Sequence, residues 1–251
     1  MTADKYFEAI DGILKKIHST QFEQIKKAAK IMADSIVQGG VIHVFGSGHS
    51  VLPVLDIFPR YGSYVGFHPI LDPRLMWFNI LGPGGVRELL WLERQEGYVE
   101  IMLKSHELRG KDVMLIFSHG GINAVPVEMA LKAKEVGLFV IGVTSMENQR
   151  KASHTHMGKR LCDAADITID NCVPLQDALV KLDGLREPVA AGSTVAGVAI
   201  AMALVAEVAK LLFERDMPLK VFVSPNVKGM PKNHNEKVFE AYMKMMRRRG
   251  E

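Results

Sequence analysis

A repeated local grammar constrains this chain more than any other feature: a short, β-branched apolar run, a turn of small polar residues, then a helical stretch. Val41-Ile42-His43-Val44-Phe45 leads into Gly46-Ser47-Gly48-His49-Ser50. The run at 112–117 ends in Ser118-His119-Gly120-Gly121-Ile122-Asn123, and the run at 138–143 ends in Thr144-Ser145. Runs this short and this apolar read as strands covered on both faces. Residues 125–135, between the second and third runs, have helical spacing, and strand, turn, helix, strand at this interval means βαβ and a parallel sheet. The expected fold class is α/β, a three-layer αβα sandwich with a central parallel sheet.

The remaining segments fit around that sheet. Residues 6–37 show helical spacing (Phe7, Ile10, Ile13, Leu14, Ile17, then Ile25, Ala28, Ala29, Met32, Ile36), predicting one long or broken amphipathic helix closed by Gly39-Gly40. Ile167-Thr168-Ile169 is a fourth strand and residues 194–213 are an Ala-rich helix. Within 60–85 an edge strand is expected at 64–67, then a long loop. Residues 145–158 read as a polar loop, 221–229 as a strand or extended strap, and 236–247 as a last helix. The division expected is a helical arm at 1–40, one domain at 41–215, and a C-terminal strap and helix at 216–251.

Composition narrows the function classes. The net charge of +3 comes from 31 basic and 28 acidic residues, too even a mixture for a nucleic-acid footprint. The basic run at 247–249 reads as a solvated tail. Two cysteines, Cys162 and Cys172, form no C-x-x-C pair, so neither a disulfide framework nor a cysteine zinc site is indicated. The N-terminus lacks an apolar signal core, and the most apolar stretch, 195–206, reads as too short for a bilayer. A cytoplasmic protein that binds neither nucleic acid nor membrane is expected.

Both glycine turns follow a strand and open a helix, where backbone N–H groups and serine hydroxyls present donors to an anion such as phosphate. Such turns lie at the carboxyl edge of an open α/β sheet, where these folds bind ligands. The dinucleotide fingerprint fails because Val51 stands where Gly is required, and no Walker A loop exists. His154-x-His156 lacks a third ligand at zinc spacing. No metal and no cofactor are expected.

On these residues the sequence resembles the SIS, or sugar isomerase, domain family. The likeness rests on His43 to Ser50, on Asn123-Ala124-Val125-Pro126-Val127-Glu128-Met129-Ala130 with Lys134-Glu135-Val136-Gly137, and on Ile141-Gly142-Val143-Thr144-Ser145. It is similar in particular to bacterial SIS proteins of uncharacterised substrate that share Glu93-Arg94-Gln95-Glu96-Gly97-Tyr98, Gly158-Lys159-Arg160-Leu161, Ile169-Asp170-Asn171, Ser193-Thr194-Val195 and Ser224-Pro225-Asn226-Val227. The resemblance implies the SIS fold with flavodoxin-like topology and a phosphorylated sugar as ligand. It also implies a homodimer or homotetramer with the site near the subunit interface. Two departures stand out: Gly120 replaces a serine of the second loop, and Leu55-Asp56 replaces a Glu-Glu pair.

The implied substrate-binding residues are Gly46, Ser47, Gly48, Ser50, Ser118, His119, Gly120, Gly121, Asn123, Thr144, Ser145, Ser193 and Thr194. The candidates for moving protons are Glu96 first, then Glu93, His49 and Asp56. Glu96 aligns with an essential glutamate of N-acetylmuramic acid 6-phosphate etherases, with Glu93 expected one turn earlier on the same helical face, and Asp56 is nearest to a catalytic glutamate of phosphoheptose isomerases. Aldose–ketose isomerisation needs a carboxylate base between C1 and C2 and a donor at the carbonyl oxygen. The rival readings are a phosphosugar lyase, etherase or deaminase, and a non-catalytic phosphosugar sensor.

Overall fold

A computed structural model describes residues 1–151 and 156–247. The elements run α1 (Thr2–Val37), β1 (Ile42–Gly46), α2 (Val51–Ile57), β2 (Phe67–Ile70), α3 (Val86–Leu92), α4 (Tyr98–Leu103), β3 (Val113–Phe117) and α5 (Ala124–Val136). They continue with β4 (Phe139–Thr144), α6 (Met146–Lys151), α7 (Leu161–Ala164), β5 (Ile167–Asp170), β6 (Ala178–Val180), β7 (Val189–Ala191), α8 (Ser193–Phe213) and α9 (His234–Arg247). Five strands form a parallel sheet in the order β2-β1-β3-β4-β5. This is the flavodoxin-like order, whose switch point lies between β1 and β3.

Alternate strand residues feed separate cores, which explains why the strands are apolar throughout. Ile42, Val44, Val113, Leu115, Ile141 and Val143 pack with α1, α2, α8 and Val238 of α9. Phe45, Met114, Ile116 and Val140 pack on the opposite face with Leu89, Val99, Met129, Ala133 and Leu161. The sandwich follows from burying both faces. Helix α1 is continuous, and its Ala28, Ala29 and Ala33 lie in one cluster with Ala196, Ala201 and Leu204 of α8.

The stretch at 195–206 lies within a helix of 21 residues that, by length and composition alone, would cross a membrane. Length therefore does not exclude a span, contrary to the sequence reading. Its Ala196, Ile200, Leu204 and Val208 are fully buried against α1 and the sheet, the role of a core helix.

Two other expectations are corrected. The edge strand is Phe67–Ile70, because residues 62–65 pair instead with the returning strap: Gly62 N donates to Phe222 O at 2.9 Å and Phe222 N to Ser63 O at 2.8 Å. Apart from the Tyr64–Val221 bridge, the strap forms no strand. The loop expected at 145–158 begins with α6, whose first turn is capped by Asp170 through a 3.0 Å bond from Met146 N to Asp170 Oδ1. The β6–β7 hairpin escapes periodicity analysis because its strands have three residues each and β7 is exposed.

Candidate functional site

Register places the turns side by side. Gly46 pairs with Phe117, Phe117 with Val143, and Val143 with Ile169, so the four carboxyl ends form one edge. Gly46 is required there because a Cβ would collide with the Ser50 carbonyl. Gly121 has φ +60°, and its Cβ would fall 2.6 Å from Gln149 Nε2 and 2.7 Å from Thr144 Oγ1. Each turn folds tightly only around a missing side chain.

Between the turns lies a small, partly open cleft, lined by His49, Ser50, Ser118, His119, Asn171, Ser193 and Thr194 over walls of Pro53, Phe117, Val143 and Gly197. Ser118 Oγ accepts from Gly121 N at 3.1 Å, which leaves its O–H to donate. His49 is exposed at the edge, its ring 4.4 Å from that of Trp77. His119 Nδ1 lies 3.2 Å from Asn171 Nδ2.

Several expected ligand residues instead brace the walls. Thr144 donates through Oγ1 to His119 O at 3.2 Å and Ser145 through Oγ to Val173 O at 2.7 Å, both fully buried. Gln149, 1% exposed, donates to Gly120 O at 2.5 Å and accepts from Cys162 N at 3.1 Å. Asp177 accepts from Gly192 N at 3.0 Å, Ser193 N at 2.7 Å and Ser193 Oγ at 2.7 Å, so a carboxylate of the chain already occupies the N-terminus of α8.

Ser47 Oγ donates to Glu93 Oε1, and Asn123 Nδ2 donates to Glu93 Oε2 at 2.7 Å. One half-buried carboxylate thus joins the first turn to the N-cap of α5. Glu93 and Glu96 do not share a helical face: α3 ends at Leu92, Glu93 is its C-cap, and Glu96 sits in the turn before Gly97, whose φ is +77°. Glu96 is 76% exposed, its Oε1 3.5 Å from His156 Nδ1. His156 is buried, with Nε2 3.2 Å from Glu128 Oε1, which also accepts from Gly97 N at 2.8 Å. Asp56 pairs with Arg60 beside Tyr61 and Phe239, apart from the cleft. His154 lies outside the described residues, among which no group of three His, Cys, Asp or Glu side chains could hold a metal.

The segment carrying Glu93 is pinned below by Asp72, which accepts from Arg74 Nε at 3.0 Å and from the Tyr98 hydroxyl. Burial opposes the Asp72 charge, yet these hydrogen bonds outweigh it and hold the carboxyl below its ordinary range. Burial and the Asp72 bond together push the Tyr98 phenol up. Gln149, Asn171 and Asp177 were not singled out in the sequence as site residues. Of these, only Asn171 carried a signal, in the Ile169-Asp170-Asn171 likeness.

A parallel sheet with two Ser/Gly turns flanking its switch point defines an open α/β protein with a ligand cleft at its carboxyl edge. The SIS domain family profile matches residues 5–145, more than half the chain, and the chain belongs to that family. It is 37% identical to a UPF0309 protein of Caldanaerobacter subterraneus subsp. tengcongensis, over 97% of this chain and 98% of that one. A UPF0309 protein of Halalkalibacterium halodurans is likewise 37% identical, over 95% of this chain and 94% of its own. Among solved structures, a phosphoheptose isomerase from Francisella tularensis superposes with a TM-score of 0.53 at 16% identity, over 83% of this chain and 96% of its own. At that identity the likeness concerns the fold alone.

Proposed function

We propose that this protein binds a phosphorylated sugar in the cleft and isomerises it between aldose and ketose. The observation that carries the reading is the convergence of the Gly46 and Ser118 turns at the switch point, with Glu93 between them. The phosphate belongs at the Ser118 turn and the N-terminus of α5, where backbone and hydroxyl donors converge. The sugar chain extends toward Ser193 and Thr194, because Asp177 already supplies negative charge at α8.

In this reading Glu93 takes the proton from C2 of the open-chain aldose. The C–H electron pair becomes the C1–C2 double bond of an enediol while His49 protonates the carbonyl oxygen at C1. Return of the carboxyl proton to C1 and transfer of the O2 proton to His49, which thereby regains the proton it gave to O1, give the ketose, so composition and oxidation balance within the substrate. Glu96, beside His156, is the second carboxylate to test. The exposed apolar side chains Phe78, Ile80, Leu81 and Trp91, on α3 and the loop before it, support a homo-oligomer with the site near its interface.

A second reading, binding without turnover, is favoured by one observation: among the described residues no carboxylate lines the cleft itself. A thermal-shift screen with hexose, pentose and heptose phosphates beside their unphosphorylated parents tests both. Saturation at a hundredfold excess over Kd adds about 2.7 kcal/mol. Stabilisation by a phosphosugar alone supports the site, and turnover of that sugar decides between enzyme and sensor. Absence of any shift sinks the phosphosugar reading.

A further inference from the structure

We propose that Asn171 fixes His119 as the neutral imidazole protonated on Nε2, and that this N–H is reserved for an acceptor oxygen of the ligand. The proposal rests on the cleft being the ligand site and specifies what one ligand atom opposite His119 must be. Neither the hydroxyls around the cleft nor His49 can be assigned a role this way.

The assignment follows from a chain of one-way hydrogen bonds. Val173 N donates to Asn171 Oδ1 at 3.0 Å, and a backbone N–H only donates, so the amide oxygen faces Val173. Asn171 Nδ2 therefore faces His119 Nδ1, at 3.2 Å. An amide nitrogen also only donates, so Nδ1 must accept. An imidazole that accepts at Nδ1 is neutral and carries its proton on Nε2. Asn171 is itself 3% exposed, with its backbone N bonded to Thr144 O at 2.9 Å, so the donor does not swing away.

His119 Nε2 is buried and has no hydrogen-bond partner among the described residues. Its ring lines the cleft, and its carbonyl is held by Ser145 N at 3.1 Å and by Thr144 Oγ1. A buried donor left unpaired is costly and rarely tolerated without a purpose. Serine and threonine hydroxyls adapt to donors or acceptors, but this N–H does not. It accepts company from a carbonyl, hydroxyl or phosphate oxygen and rejects an ammonium group at the same place.

The test is a long-range 1H–15N imidazole spectrum of the full-length labelled protein at about pH 7.5, with His119 assigned by its loss in His119→Gln. The expected free-state signal is the Nε2–H tautomer, and it moves on saturation with a hexose phosphate that binds. A shift with inorganic phosphate alone as well assigns the partner to a phosphate oxygen; a shift only with the sugar phosphate assigns it to a sugar oxygen. His119→Phe should weaken binding about tenfold, the scale of one lost hydrogen bond. An Nδ1–H tautomer, an imidazolium, or a resonance unmoved by a ligand that does bind overturns the proposal while leaving the functional reading intact. If no probe in the panel binds, the functional reading falls and the ligand role of His119 falls with it.

Discussion

Glu93 and Asn123 are joined at two levels. Asn123 Nδ2 donates to Glu93 Oε2 at 2.7 Å, and the main-chain oxygen of Glu93 accepts from Val125 N at 3.1 Å. The end of α3 is thereby tied to the first turn of α5, the place where an incoming anion would bind.

Glu93→Gln keeps the shape and can still bridge Ser47 and Asn123, but it cannot take a proton. Affinity for a phosphosugar should stay within a few-fold, while turnover drops roughly a hundred- to ten-thousand-fold. Parallel calorimetry and turnover assays check this. Unchanged turnover would remove Glu93 as the base and pass the test to Glu96.

Gly46→Ala places a methyl group against the Ser50 carbonyl, within backbone that has little room to yield. The variant should lose about 3 kcal/mol or more of unfolding free energy, read from urea titration. A loss under about 0.5 kcal/mol would mean that the turn is looser than drawn.

Asp177→Ala removes the carboxylate that caps α8 and holds the hairpin to it. A loss of about 1–2 kcal/mol is expected in thermal or chemical unfolding. Asp177→Asn, which retains an acceptor, should recover part of it.

Asp112 is fully buried and accepts from Val41 N at 3.0 Å and Arg109 N at 2.8 Å, with His43 Nε2 at 3.2 Å. Asp112→Ala strands buried polar groups at the amino edge of the sheet and should cost about 3–5 kcal/mol. Ligand binding in the variant that does fold should be unaffected, since the cleft lies at the opposite edge.

Burial, and then the nearby His43, lower the pKa of His106 from 6.5. Between 6.5 and the lower folded value the unfolded chain binds more protons, so stability rises with pH there. This contribution is complete above the unfolded pKa and is lost as pH falls toward the folded one. The difference between wild-type and His106→Gln unfolding curves, measured from neutral pH downward, should show the loss in the wild type; parallel curves would contradict it.

The sequence by itself determined the αβα sandwich, because strand runs at 41–45, 112–117 and 138–143 are apolar enough to require cover on both faces, and each closes in a turn that only Gly and small polar residues can make. It also marked Ser47, Ser118 and Asn123, whose positions follow directly from those strand ends. Tertiary structure decided which side chains meet. The strap at 220–222 displaced the edge strand from 64–67 to Phe67–Ile70, and the end of α3 at Leu92, before Glu93, kept Glu93 and Glu96 from sharing one helical face. The partners that join the turns around the site are 46 residues apart for Ser47 and Glu93 and 52 for His119 and Asn171. Local periodicity records burial, whereas the direction of a hydrogen bond between distant segments depends on how the sheet brings their ends together.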